Sequence, residues 1–411
     1  MRNPRRFTSG ARTGSLGATQ TEDAMPIRNR FADLHPEITA FRRDLHRNPE
    51  LLYDVTRTAG KVAAALRDMG CDAVHEGIGR TGVVALIHGR APGRTIGLRA
   101  DMDALPIQEA TGAAHASEVP GKMHACGHDG HTAMLLGAAR YLAETRSFAG
   151  TVAVVFQPAE EGGAGAEAMV QDGLIDRFDI AEIYGMHNSP LLPAGAFAIR
   201  PGPFYAAVDS FRIEVRGKGG HAARPNNTVD TTLAASAIVM AAQSVVSRNT
   251  DPQQPLVISV TAFRTDSDAF NVIPDAATLR GTIRSFDEAA REKAVADLRR
   301  VIDMTAAAYG ATAAFTFEEE PYPVMANHEA ETAHAADAAR AVAGDCTTDA
   351  PRTTGGEDVA YMLKACPGAY IQIGNGPSAG LHHPEYDFND AIIPTGCSYW
   401  VELAERRLPL P

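Results

Sequence analysis

Cysteine is scarce in this chain and so is excess positive charge. Its 411 residues contain five cysteines, Cys71, Cys126, Cys346, Cys366 and Cys397, an odd number with no CxxC pair. That pattern argues against a disulfide framework and fits a reduced, cytoplasmic setting. Thirty-eight basic residues face 50 acidic ones, a formal charge of −12. Nucleic-acid binding runs on phosphate neutralisation by clustered Lys and Arg, and no basic run interleaved with aromatics is present, so no nucleic-acid partner is expected. No stretch approaches the roughly 20 apolar residues of a membrane-spanning helix, so no membrane partner is expected either. Internal repeats and low-complexity tracts are also missing. Residues 1–24 hold four Arg among many Gly, Ser and Thr but no apolar core of a secretory signal. They are expected to be a disordered tail or to precede the true start at Met25.

What remains is the composition of an ordinary globular protein, 45% hydrophobic and 21% charged. At this length two domains are the default. Ile38, Phe41 and Leu45 predict a first helix after Pro36 in a first-turn position, ended by Asn48-Pro49. A second helix is expected over 57–69. Gly82–His88 and Thr95–Ala100 read as strands joined by a hairpin-like turn, followed by a helix over 131–145. Val152–Phe156, Ile180–Met186 and Ala369–Ile373 are continuous apolar runs, as in strands buried on both faces. Strands alternating with helices predict an α/β fold, a mixed and mostly parallel sheet covered by helices. Between 190 and 320 the pattern changes to strand 208–216, helix 228–247, strands 256–263 and 276–284, helix 287–308 and strand 312–318. This βαββαβ order predicts an inserted ferredoxin-like unit bounded by Pro-rich segments. The expected division is therefore 25–189 with 321–411, and 190–320 inserted.

The chemistry-bearing residues follow the core strands. TIGLRA runs into Asp101 and Asp103, VAVVF into Glu160 and Glu161, IAEIYGM into His187, and AYIQI leads towards His382 and His383. In open α/β sheets, sites form at the carboxyl ends of strands. The segment MHACGHDGH (123–131) stands just before a helix, where it could face the same edge. Each residue alone is ordinary: a Glu pair is usually a solvated turn, and a Cys between Ala and Gly a small buried hydrophobe. Their coincidence at one edge outweighs those readings. Thiolate, imidazoles and carboxylates suit Zn, Mn, Co or Ni rather than Ca or Mg, and the set is large enough for two ions. One of Glu160 and Glu161 would then bind metal and the other serve as general base. A Cys126 nucleophile is the competing reading, and it leaves Glu160, Glu161 and His187 without work.

Ten motifs carry a family resemblance: RRDLHRNPEL (42–51), RADMDALPI (99–107), PGKMHACGHDGHTAMLLGAA (120–139), VFQPAEEGG (155–163), GMHN (185–188), GKGGHAARP (217–225), FNVIPD (270–275), GTIRSF (281–286), GGEDVAYM (355–362) and LHHPEYDFND (381–390). The chain resembles the hippurate hydrolases, N-acyl-amino-acid aminoacylases and plant auxin-conjugate hydrolases of the M20 peptidase superfamily. The resemblance implies metal-dependent hydrolysis of an N-acyl amino acid, of hippurate or N-acetyl type, by a metal-bound hydroxide. It implies Cys126 (bridging two divalent ions), His128, Glu161, His187 and His382 as ligands, with His382 preferred over His383. Glu160 is implied as acid/base. His221 is implied to reach a partner's site in a homodimer and stabilise the oxyanion, with Asn271 assisting, and Arg284 to bind a substrate carboxylate. The inserted unit is implied to be a lid or dimerisation domain. Relatives often carry His-x-Asp where this chain has Asp101-Met102-Asp103, so both aspartates are expected behind the ligands. The alternatives are a dipeptidase or carboxypeptidase of the same superfamily and a non-catalytic metal or ligand binder.

Overall fold

Helices and strands alternate early in the chain because the apolar spacing alternates. The structure, a computed structural model, describes residues 29–411; the expectations for residues 1–24 and for a start at Met25 lie outside them. Helix α1 (Asn29–Arg47) buries Phe31, Leu34, Ile38 and Leu45, steps of three, four and seven that keep one face on the core. Pro36, expected in the first turn, stands inside this helix. An interior proline removes one i→i−4 bond and costs about 3 kcal/mol. Burying Phe31 and Leu34 contributes about 1.5–3 kcal/mol each and offsets it. Helix α2 (Thr56–Asp68) follows, then β1 (Ala73–Ile78), β2 (Gly82–His88), β3 (Ala91–Asp101), α3 (His128–Thr145), β4 (Ala149–Gln157), α4 (Gly165–Gln171), α5 (Leu174–Arg177) and β5 (Ile180–Ser189). Two short strands, β6 (Phe197–Ala198) and β7 (Gly202–Tyr205), precede a second unit.

That unit runs β8 (Ala207–Arg216), β9 (Gly220–His221), α6 (Thr231–Ser244), β10 (Leu256–Thr265), β11 (Val272–Ile273), β12 (Ala276–Ser285), α7 (Glu288–Ala308) and β13 (Thr312–Phe317). The chain ends with β14 (Met325–Asn327), α8 (Glu329–Ala343), α9 (Val359–Ala365), β15 (Gly368–Gly374) and α10 (Ile393–Arg407).

The larger sheet has seven strands in the order β1-β2-β4-β3-β5-β15-β6. Its inner pairs β4–β3, β3–β5 and β5–β15 are parallel, and the outer pairs are antiparallel. The expected hairpin between β2 and β3 does not form: β4 lies between them. β4 is buried along nearly its whole length, so it takes an inner place flanked on both sides. The α3 crossover delivers it parallel to β3.

In the second unit β8, α6, β10, β12, α7 and β13 give the expected βαββαβ order, with β9 and β11 as a small added ribbon. Its sheet order is β10-β12-β8-β13, antiparallel throughout. β8 alternates buried and half-buried residues, and its inward set Phe211, Ile213 and Val215 packs on Ile238, Leu298 and Ile302 of the two helices. α6 starts later than residue 228 because Asp230 caps it, its side chain accepting from Leu233 N. Residues 197–205 are paired on the other side: β6 with β15, and β7 with β14. A backbone bridge joins Val208 to Tyr322 where the chain passes into and out of the second unit.

Candidate active site

Four parallel strands point their carboxyl ends at one edge, and β3 stands where the chain turns from one side of the sheet to the other. Residues beyond these ends meet the start of α3. Gly127 caps that helix with φ 89°, and a Cβ there would lie 2.4 Å from Asn188 Nδ2 and 2.7 Å from Tyr386 Oη. Only glycine combines this conformation with this approach, so the helix brings Cys126 and His128 against β5. Tyr386 Oη donates to Asn188 Oδ1 (2.6 Å), and Asn188 Nδ2 donates to the Cys126 carbonyl (2.6 Å).

Of the donor groups that gather there, two meet at Cys126: Cys126 with His128 and His187, and Cys126 with Glu161 and His382. They share one sulfur. His187 Nδ1 donates to the Asn188 carbonyl at 2.6 Å, which leaves Nε2 the acceptor, meeting Cys126 Sγ at 3.3 Å. His128 Nδ1 meets the Asp103 carbonyl at 2.9 Å, which turns its Nε2 into the cluster. His382, with backbone φ 63°, points Nε2 at Glu161 Oε1, 3.2 Å away. His383 instead accepts from Glu385 N and stays outside.

These residues fit a pair of cations. His128 Nε2 and Glu161 Oε1 are buried without a well-oriented hydrogen bond, though the second lies close to His382. Buried orphans of this kind call for a partner. Burial first, then Glu161 and Glu160, hold the Cys126 thiol well above its usual range. A cation in contact is what makes such a sulfur a thiolate. Burial alone would lower His128, but Asp101 and Asp103 outweigh it and lift the ring to about 10. The same negative field attracts a divalent ion. Burial and the neighbouring His131 ring push His187 well down, the neutral state a ligand needs.

Glu160 is the other carboxylate at the cluster. Burial, then Glu357 and Glu161, hold it well above the usual carboxylate range. Asp101 and Asp103 lie behind the donors. Asp103 accepts from Glu160 N at 3.0 Å and Glu161 N at 3.1 Å, so its two oxygens hold the turn carrying both glutamates. Asp101 takes His131 Nδ1 (2.7 Å) on one oxygen and Arg99 (2.9 Å) on the other. His131 Nε2 accepts from Asn188 N (3.0 Å), so both its nitrogens are engaged.

The motif residues without an expected role form a buried network beneath. Arg99 reaches Gln157 at 2.7 Å and Glu357 and Asp358 at 3.1 Å each. Tyr370 Oη donates to Glu357. Arg99, Glu357 and Asp358 stood inside RADMDALPI and GGEDVAYM, and nothing in those strings says that one guanidinium serves several distant acids.

A cleft of about 570 Å³ opens over the cluster. Cys126, Glu160, Glu161, His187 and His382 line its floor, and Arg284 of β12 and Tyr322 line the side facing the second unit. Arg284 is half-buried with Nη1 unpaired. His221 and Asn271 stand together on the exposed β9–β11 ribbon and are not among the cleft residues of their own chain.

Together, an α/β sheet edge with paired donor sets and an adjacent buried Glu define a metal-dependent hydrolase. Residues 97–406 match the family described as Peptidase family M20/M25/M40. The chain is 40% identical over 371 residues to the N-acetylcysteine deacetylase of Bacillus subtilis (strain 168), covering 90% of this chain and 96% of that one. It is 38% identical over 378 residues to the hippurate hydrolase of Campylobacter jejuni, covering 92% and 98%. Among solved structures it resembles the YXEP protein of Bacillus subtilis, described as a dinuclear metal binding peptidase from the M20 family, with a TM-score of 0.79, 36% identity and coverage of 92% and 99%. The chain belongs to peptidase family M20/M25/M40, and it is a hydrolase of amide bonds. No helix among the described residues is long and apolar enough to cross a membrane.

Proposed function

We propose that the protein hydrolyses the amide bond of N-acyl amino acids, of hippurate or N-acetyl type, to a carboxylic acid and a free amino acid. The observation that carries this reading is the single sulfur of Cys126 shared by two donor sets, with Glu160 beside them. The deacetylase and hippurate hydrolase relatives support the substrate class. Cys126, His128 and His187 would hold one divalent ion, and Cys126, Glu161 and His382 the other. Soft sulfur with imidazoles favours Zn, Mn, Co or Ni. Such a pair, when bound, supplies Lewis-acid polarisation and acidifies water. Glu160 takes the proton of the attacking water and returns it to the leaving nitrogen. Arg284 pairs with the substrate carboxylate through its unpaired Nη1.

His221 and Asn271, exposed in one chain, enter the cleft of a second copy in a homodimer and donate to the developing oxyanion. Residues 190–320 act as the lid and dimerisation unit, with 197–205 at its border paired to β15 and β14. Five free cysteines are consistent with a cytoplasmic enzyme.

The test is a screen of purified, metal-reconstituted protein against N-acyl amino acids, following amino-acid release. Glu160→Gln should lower turnover by about 10²–10⁴-fold with metal content unchanged. Full activity in that variant defeats the assignment.

A further inference from the structure

The turn carrying Glu160 and Glu161 has an unfavourable backbone. Ala159 (φ 54°) and Ala164 (φ 51°) are left-handed without being glycine, and Gly162 (φ 89°) lies between them. Such conformations persist only where the surroundings hold them. Asp103 holds the turn from below. Tyr53 Oη donates to the Gly163 carbonyl (2.6 Å).

Within the turn Gly162 N donates to the Glu160 carbonyl (2.8 Å) and Gly165 N to the Ala159 carbonyl (3.1 Å), and one hydroxyl from outside joins them. Tyr322 Oη donates to the Glu160 carbonyl and accepts from Gly162 N (2.9 Å) and Ala164 N (3.3 Å). One side chain thus satisfies three main-chain groups of the turn. Tyr322 is only 7% exposed, and Gly356 leaves space for it: a Cβ there would come within 2.4 Å of Val208 and 3.3 Å of the Tyr322 ring. Its own backbone is bonded both ways to Val208, at 2.9 Å each, where the chain passes between the two sheets.

We propose that Tyr322 is a positioning residue for the hydrolysis. Its hydroxyl sets the turn on which Glu160 stands and ties that turn to the segment returning from the four-stranded unit. The role rests on Glu160 being the acid/base. A carboxylate that must meet both a water and a leaving nitrogen tolerates little displacement. Tyr361 offers an internal control. Its hydroxyl donates to the Pro321 carbonyl (2.6 Å), bracing the same segment through a bond that does not reach the glutamate turn.

The experiment compares Tyr322→Phe, Tyr361→Phe and wild type as full-length, metal-reconstituted proteins. For Tyr322→Phe, kcat should fall about 10- to 100-fold while KM stays within about two-fold and metal content is unchanged. Tyr361→Phe should keep kcat within about two-fold. An unchanged kcat in Tyr322→Phe, or an equal loss in both variants, overturns the proposal. Hydrogen exchange reads the same hold without substrate: the Ala164 amide, which donates to Tyr322 Oη, should exchange about 10-fold faster in Tyr322→Phe. Unchanged protection overturns the role whether or not the wild type turns over, and a wild type inactive on every N-acyl amino acid defeats the function reading separately. If the Phe variant does not fold, 3-fluorotyrosine at position 322 keeps the shape and alters the hydrogen bond. A kcat shifted more than about two-fold at constant KM then supports the role, and an unshifted one overturns it.

Discussion

The seven-stranded sheet buries Arg99, Asp101, Glu357 and Asp358 together at its carboxyl edge, each 1% exposed or less in its side chain. The four-stranded sheet packs Phe211, Ile213, Leu279 and Ile283 against helices whose inner faces are Ala, Ile and Leu. Asp209 is its one buried acid among the described residues, and Arg291 meets it through two nitrogens at 2.7 and 2.8 Å. Apart from that pair, apolar packing makes the second unit. The first must hold several side chains at fixed positions and charges, and a buried ion network does that at a cost in stability.

The comparison can be broken in order of effect. Cys126→Ser should be the most damaging change to function. Losing the sulfur common to both donor sets should lower kcat/KM by more than about 10²-fold, since even partners behind a ligand cost 10–100-fold. Metal analysis of the purified variant should show the loss. Arg99→Met removes the guanidinium shared by three buried acids and should cost about 3–5 kcal/mol in urea unfolding. Asp209→Asn, in the second unit, removes a charged pair with a partly exposed Arg291 and should cost only about 1.5–3 kcal/mol. Equal costs for these two changes would erase the contrast.

A pH dependence sharpens it further. His46 meets Asp129 at 2.8 Å and Glu109 at 3.4 Å near the start of α3. Burial alone would lower it, but Asp129 and Glu109 outweigh burial and raise it from 6.5 to about 9. Its contribution is full below pH 6.5 and disappears as pH rises through about 9. Burial would raise Glu109, yet His46 and Thr111 hold it at about 2 against an ordinary 4.5, so its contribution is present above 4.5 and lost as pH falls through about 2. Urea midpoints between pH 6 and 10 should fall less in His46→Leu than in wild type. The smallest change is Ile302→Val in the second core, expected to cost about 0.5–1.5 kcal/mol in the same measurement and to leave turnover unaltered.

Much of this architecture is legible from local pattern. β4 and β15 are visible as continuous apolar runs, and the second unit follows from its βαββαβ order between Pro-rich segments. The order of strands is not local. The turn between β2 and β3 has hairpin composition, yet β4 takes the place between them because pairing is chosen by the whole sheet. The donor residues stood out as Cys, His and Glu at strand ends. Tyr322 did not, because a tyrosine in a Pro-rich segment looks like a surface turn until its hydroxyl is seen on the Glu160 backbone.

By itself, the sequence determined which chemistry is possible here. A thiol, imidazoles and carboxylates follow the core strands, and a βαββαβ unit interrupts them. Those are consequences of side-chain type and of hydrophobic period, which act over a few residues. The tertiary structure decided which of those groups share a site. It set Cys126 within reach of both His187 and Glu161, put His382 rather than His383 beside Glu161, and gave Arg99 its distant acids. Distances of a few ångströms between residues more than 200 positions apart depend on strand order and helix docking, and only the folded chain sets those.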